Sequence, residues 1–154
     1  MQVTLKEFKR VLDQVSPQLA SITEADASAI PSPGKWSKKQ VLGHLIDSAS
    51  NNHQRFVRAQ LVQELVFPAY EQEDWVRVQQ YQQQSWAQLL DLWQSYNRHL
   101  LHVMVSVPAD RLVRRCIIGK NNPATLEFLI SDYVVHLKHH LDQILDGGWR
   151  TESS

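Results

Sequence analysis

Cysteine and glycine are scarce in this chain of 154 residues, which contains one cysteine and five glycines. The single cysteine, Cys116, excludes an intrachain disulfide and a cysteine-rich zinc module. Acidic and basic residues balance at 16 each, so no net charge attracts nucleic acid or an anionic membrane. No apolar run approaches the roughly 18 residues of a membrane span, and the first residues lack an apolar signal region. These absences predict one cytoplasmic domain over residues 1–154 that binds neither nucleic acid nor membrane.

Helical periodicity runs through almost the whole chain, because apolar residues recur at steps of three and four. The first predicted helix begins at Thr4, where Thr4 and Glu7 have the spacing of a capping box. Pro17 lies inside this helix, so we expect a kink or a short interruption near Val15 and Ser16.

Three further helices are predicted from their start and stop signals. They run from Ser37 to about Val62 or Leu65, from about Gln84 to Val105, and from Thr125 to Gly147-Gly148. Long connections separate the second helix from the third and the third from the fourth. This organisation predicts an all-α fold, a four-helix bundle with two long connections.

The strongest local signal for chemistry is a pair of histidines, His136 and His140, on the predicted fourth helix. Residues four apart differ by about 40° around a helix, so both imidazoles can reach one metal ion. A third ligand must come from elsewhere in the fold. Asp132 and Gln143 share this face and could orient the ring nitrogens that the metal leaves free. The alternative is that the pair belongs only to a solvated helix face. His139 points about 60° or more away from both histidines, so we expect it to be a bystander.

The second predicted helix offers two candidates for the third ligand. His53 lies in the apolar seam of this helix, so periodicity favours it as the buried histidine. His44 lies on the opposite side, with Ser48, Asn51 and Arg55 stacked near it. That side faces solvent in a simple amphipathic helix, but it lines a polar cavity if the helix is buried on both sides. Periodicity leaves these alternatives open.

Four segments carry a resemblance to a known family. They are Lys35–Ser48, Asn51–Phe56, Pro68–Trp75 and His136–Gln143. Their order and sequence resemble the DinB-like metalloprotein superfamily, and the two middle segments resemble its YfiT-like branch, which includes bacillithiol S-transferase-type enzymes. The last segment departs from the usual His-Glu-x-His-His-Arg-Gly-Gln motif. Leu137 replaces its acid, and Leu141 and Asp142 replace Arg-Gly.

The resemblance implies a four-helix bundle, commonly dimeric, in which three histidines bind zinc or nickel. Carried onto the matching positions, these ligands are His44, His136 and His140. Three protein ligands leave a coordination position open, as in catalytic metal sites. The expected activity is transfer of a low-molecular-weight thiol to an electrophile, with hydrolysis by an activated water as the alternative. Arg55 is a candidate for binding a substrate carboxylate.

A third possibility is a non-catalytic helical module that binds a partner. We expect a small-molecule substrate and a homodimer for the enzyme. Ser48, Asn51 and Arg55, together with Asp132 and Gln143, are the candidates for contacts with the metal ligands or the substrate.

Overall fold

Helices make up most of the computed structural model, which describes residues 1–150. The four long helices are α1 (Gln2–Ala20), α3 (Lys38–Ala59), α5 (Trp86–Val105) and α7 (Leu126–Leu145). The short helices are α2 (Glu24–Ser28), α4 (Gln72–Gln79) and α6 (Ala109–Leu112), and a 3₁₀ turn covers Tyr81–Gln83. The strands are β1 (Glu64–Phe67), β2 (Arg115–Ile118) and β3 (Ala124–Thr125). The predicted four-helix bundle with two long connections is confirmed.

The core forms where the four long helices meet. Both α1 and α3 pack against α5 and α7, so α5 and α7 each lie between the other two long helices. Each helix sends fully buried leucines into this space, including Leu12, Leu42, Leu89 and Leu137. Burying a side chain of this size stabilises a fold by about 1.5–3 kcal/mol. Within residues 1–150, no helix combines the length and the apolar character needed to cross a bilayer.

Two predicted helix starts have the expected capping hydrogen bonds. The Ser37 hydroxyl accepts from the backbone N–H of Gln40, and the Gln40 side chain accepts from the backbone N–H of Ser37. Thr125 accepts from the N–H of Phe128 at the start of α7. These caps satisfy backbone donors that have no partner within the helix. They set the starting points of α3 and α7, the helices that carry the histidines.

The first helix differs from its prediction at its start, and it is not interrupted at Pro17. It begins at Gln2 instead of Thr4, and the predicted capping box is wrong because Glu7 pairs with Lys138 of α7. The helix continues through Pro17 without the expected interruption. Val15 and Leu19, on either side of the proline, are fully buried. Their packing holds the helical path across the missing N–H of Pro17.

A small sheet replaces the end of the predicted second helix. Helix α3 stops at Ala59, and β1 then pairs in parallel with β2, which pairs antiparallel with β3. The prediction of helix up to Val62 or Leu65 is therefore wrong, because strand pairing with a distant segment overrides local periodicity. The sheet ties the two long connections together. Gly119 extends this link, since its N–H donates to the carbonyl of Phe67 at 2.9 Å.

The N-terminal half of α3 is buried on all sides. Helices α2 and α4 and the 3₁₀ turn pack against α3 in addition to α5 and α7. Gly43 permits this covering, because a Cβ atom there would lie 2.1 Å from Cδ2 of Tyr81. The alternative of a helix buried on both sides, with its polar stripe enclosed, is the one that the structure adopts.

We expect Gly43→Ala to lower the free energy of unfolding by about 1–3 kcal/mol, because the added methyl group overlaps the Tyr81 ring. In an uncrowded helix the same change stabilises by about 0.5–1 kcal/mol. Urea denaturation of the wild type and Gly43→Ala measures the difference in the free energy of unfolding. Gly148→Ala is the control, since its Cβ would only approach the carbonyl oxygen of Leu145 at 3.5 Å. An increased stability for Gly43→Ala would contradict the tight contact.

Candidate metal centre

Three imidazoles meet in the bundle interior, one from α3 and two from α7. Nε2 of His136 lies 3.2 Å from Nε2 of His44 and 3.1 Å from Nε2 of His140. One ring nitrogen of each residue lies within 4.8 Å of the other two. His136 and His140 are adjacent because they are one turn apart on α7. His44 joins them because α3 packs against α7.

The spacing of these nitrogens fits a shared metal ion better than a set of hydrogen bonds. Zinc–nitrogen bonds of about 2.0–2.1 Å at tetrahedral angles place neighbouring ligand nitrogens roughly 3.3–3.4 Å apart. Both measured separations are close to this value. Nε2 of His136 either donates or accepts a single hydrogen bond, so it cannot satisfy both neighbours in that way. The donor set therefore suits a divalent metal.

Burial keeps the cluster uncharged. Burial, with smaller contributions from His140 and His136, lowers the pKa of His44 to about 3. Burial, assisted by His140 and His139, lowers the pKa of His136 to about 4. The pKa of His140 is also lowered, mainly by burial. Neutral imidazole is the form that binds a metal, so these rings need no deprotonation at neutral pH.

His44 is the most enclosed of the three, with 1% of its surface exposed. The Trp36 ring packs beside it with 5.3 Å between ring centroids. Nδ1 of His44 is buried and has no hydrogen-bond partner within the described part of the chain. The periodicity argument that favoured His53 is wrong, because α3 is covered on its polar side. His53 is half-buried between α3 and α5, where Nδ1 lies 2.8 Å from the Tyr96 hydroxyl.

The other predicted site residues on α7 have different surroundings. Gln143 contacts the cluster directly, since its Oε1 lies 2.9 Å from Nδ1 of His140. It thereby leaves Nε2 of His140 facing the other two rings. Asp132 forms no hydrogen bond with a histidine ring among residues 1–150, but it lines a cavity together with His136.

The predicted site residues on α3 are divided between two cavities. Ser48 and Arg55 line the cavity of 140 Å³ that includes His136. Asn51 lines a separate cavity of 790 Å³ beside Trp75, and its side chain donates to the carbonyl of Asp47. The structure thus brings Ser48 and Arg55 towards the histidines, but not Asn51.

A buried carboxyl group near the cluster was missed by the sequence analysis. Asp47 lies one turn after His44 and is 2% exposed. Its Oδ1 accepts from the Tyr81 hydroxyl at 2.6 Å and from Nε2 of Gln79 at 2.7 Å. Burial raises the pKa of Asp47 despite these bonds. The sequence does contain a signal for Asp47, because its helical spacing from His44 places both side chains on one face of α3.

A family model of the DinB superfamily matches residues 7–144. The chain belongs to the DinB superfamily. The chain is 22% identical to a curated relative, BH0277 of Halalkalibacterium halodurans, which is a candidate metal-dependent hydrolase. That alignment covers 99% of this chain and 88% of the relative.

Two solved structures share this DinB fold. YfiT from Bacillus subtilis, a candidate metal-dependent hydrolase with an unusual four-helix bundle topology, has a TM-score of 0.77 and 22% identity. The match covers 92% of this chain and 84% of YfiT. A mutant of the mycothiol-dependent maleylpyruvate isomerase has a TM-score of 0.77 and 11% identity, with coverage of 93% of this chain and 60% of that one. At these identities the likeness establishes the fold.

We expect the metal-free chain to lose stability as the pH falls below about 6.5. His44 and His136 take up protons in the unfolded chain near pH 6.5, but in the folded chain only near pH 3 to 4. Between these values, acid favours the unfolded chain by about 1.4 kcal/mol per pH unit for each histidine that stays neutral. Urea denaturation at pH 7.5 and 5.0 measures the loss.

The comparison with variants isolates this contribution. His44→Gln should show a smaller difference between the two pH values, whereas His102→Gln, which alters an exposed ring on α5 outside the cluster, should retain the wild-type difference. Equal pH dependence of wild type and His44→Gln would show that the burial of His44 does not control its protonation.

Proposed function

We propose that this protein is a metal-dependent enzyme that transfers a low-molecular-weight thiol to an electrophilic small molecule. His44, His136 and His140 would hold zinc or nickel, metals that imidazole ligands suit. The observation that supports this proposal is the convergence of three neutral imidazoles at spacings of 3.1 and 3.2 Å. Three such ligands leave a position for a substrate atom.

The ion, when bound, lowers the pKa of a thiol or a water molecule that coordinates it. The chain contributes the positions and protonation states of the ligands. Gln143 orients His140 through Nδ1, and Trp36 packs on His44. Burial keeps His44 and His136 neutral, so protons do not compete for the Nε2 atoms at neutral pH.

The composition of the cluster, which contains imidazoles alone, favours a thiol over water as the nucleophile. Among residues 1–150, no carboxylate oxygen joins the histidine cluster. A thiol held by such a metal would need no general base, because coordination would lower its pKa enough for it to lose its proton to solvent water. The isomerase that shares this fold is named for its dependence on mycothiol, which supports a thiol as a ligand of this chain as well.

Hydrolysis is the second candidate, and the position of Asp132 favours it. This carboxylate lines the 140 Å³ cavity that His136 also lines, where it could act as a general base for water. The names of the relatives from H. halodurans and B. subtilis point to metal-dependent hydrolysis. The homodimer and the cytoplasmic location stay predictions.

Purified protein should contain about one equivalent of zinc or nickel per chain, measured by elemental mass spectrometry. His136→Ala should reduce this to a small fraction, because His136 is the ring whose Nε2 contacts both others. His139→Ala is the matched control, since this neighbouring histidine on α7 is exposed and outside the cluster. Metal content near zero in several wild-type preparations, including after incubation with each metal, would refute the centre.

The metal-loaded protein should accelerate conjugation of a small thiol with 1-chloro-2,4-dinitrobenzene, measured by absorbance across a panel of thiols. His136→Ala should abolish the acceleration, and His139→Ala should retain it. Thiol-independent, metal-dependent cleavage of p-nitrophenyl acetate would favour the hydrolase instead. Activity in neither assay, with metal bound, would favour the non-catalytic binding module.

A further inference from the structure

Arg55 has a half-buried cationic side chain without a hydrogen-bond or ion-pair partner among residues 1–150. Its Nε atom is buried and donates no hydrogen bond to these residues, and none of the ion pairs of the described chain includes Arg55. The Arg55 guanidinium lies over the Phe67 ring, with 5.7 Å between Cζ of Arg55 and the ring centroid. A half-buried guanidinium without an anion is unfavourable, because it has lost part of its hydration and gained no replacement.

Two small cavities meet at this side chain. The first, of 140 Å³, extends from Arg55 to His136 and is also lined by Ser48 and Tyr70. The second, of 120 Å³, extends from Arg55 to the β2–β3 loop at Asn121. Arg55 therefore lies between the cavity beside the histidine cluster and a cavity lined by the buried side chains of β2, Cys116 and Ile118.

The groups around Arg55 leave its positive charge uncompensated. Burial lowers the pKa of Arg55, while the nearby Tyr70 acts in the opposite direction. The pKa of Tyr70 is itself raised by burial, so this phenol is neutral at pH 7 and offers hydrogen bonds but no charge. Among residues 1–150, Asp132 is the one acid on the walls of the two cavities, but it lies beyond ion-pair distance of Arg55 and is exposed.

We propose that Arg55 forms a carboxylate-binding subsite beside the metal centre, so that the substrate pair includes an organic acid. This inference rests on the proposed function for the location of the reacting atom, but not for the charge of the ligand. A guanidinium binds a carboxylate through two parallel N–H donors, and Ser48 and Tyr70 supply hydroxyls on the same wall. The carboxylate belongs either to the thiol or to the electrophile.

The first experiment compares an acid with its amide on the protein loaded with cobalt(II). Titrations with 3-mercaptopropionate and 3-mercaptopropionamide follow the sulfur-to-cobalt absorption band, which reports binding without turnover. The wild type should bind the acid at least about tenfold more tightly than the amide. For Arg55→Met, the ratio of the dissociation constants of amide and acid should fall close to one, while the amide still binds.

Matched variants separate the charge of Arg55 from its packing. Arg58→Met should retain the wild-type ratio, since Arg58 lies one turn further along α3, is exposed and bonds Gln54. Arg55→Lys should restore part of the preference for the acid, which a purely structural role would not require. Asp132→Asn should raise the preference, because it removes the acid that faces the bound carboxylate.

A second experiment identifies the molecule that carries the carboxylate. Calorimetry with propionate, in the presence of saturating 2-mercaptoethanol, detects an acid that binds beside the thiol. Arg55-dependent binding of propionate assigns the carboxylate to the electrophile. An acid preference confined to 3-mercaptopropionate assigns it to the thiol.

The outcomes distinguish this inference from the proposed function. If both thiols bind cobalt but wild type and Arg55→Met show the same ratio, the carboxylate subsite is refuted and the metal centre stands. If cobalt does not bind, the proposed function fails, and propionate is then tested on the metal-free chain. Stabilisation of the wild type but not of Arg55→Met by propionate supports the subsite, and equal thermal shifts refute it.

Discussion

The candidate metal centre depends on one contact, the meeting of an imidazole from α3 with two imidazoles from α7 inside the bundle. Three neutral rings whose Nε2 atoms face one another at 3.1 and 3.2 Å cannot all satisfy each other by hydrogen bonds. Such an arrangement is unfavourable by itself, so the surrounding leucine core must hold it in place. The same crowding prepares the three nitrogens for a shared cation.

The two long connections determine how this contact is enclosed. One connection supplies α4 and the 3₁₀ turn, where Tyr81 lies against Gly43 and binds the buried carboxylate of Asp47. Both connections contribute strands to the small sheet, which positions Phe67 over Arg55. Segments outside the four long helices thus convert a polar helix face into an interior wall. This agrees with the general tendency of connecting segments to carry function while a rigid scaffold supports them.

Charge is distributed unevenly along the interior of α3. Around His44 the environment suppresses charge, because burial and neighbouring imidazoles both disfavour protonation. Three turns further on, Arg55 retains a positive group beside cavities that lead to His136. A neutral ligand set and a cation on adjoining walls suit a ligand with a soft or neutral donor atom at one end and an anionic group at the other. The proposed organic acid and thiol chemistry follows from this polarity.

The sequence by itself determined the features that depend on neighbouring residues. Four helical segments, the caps at Ser37 and Thr125, and the facing pair His136 and His140 follow from spacing within one helix, which backbone geometry dictates. The resemblance to the DinB-like family selected His44, whereas periodicity favoured His53. Only the tertiary structure decided which side of α3 is buried, where α3 gives way to β1, and that Nε of Arg55 has no hydrogen-bond partner in the described part of the chain. These features depend on contacts between segments far apart in the chain, and local periodicity does not encode such contacts.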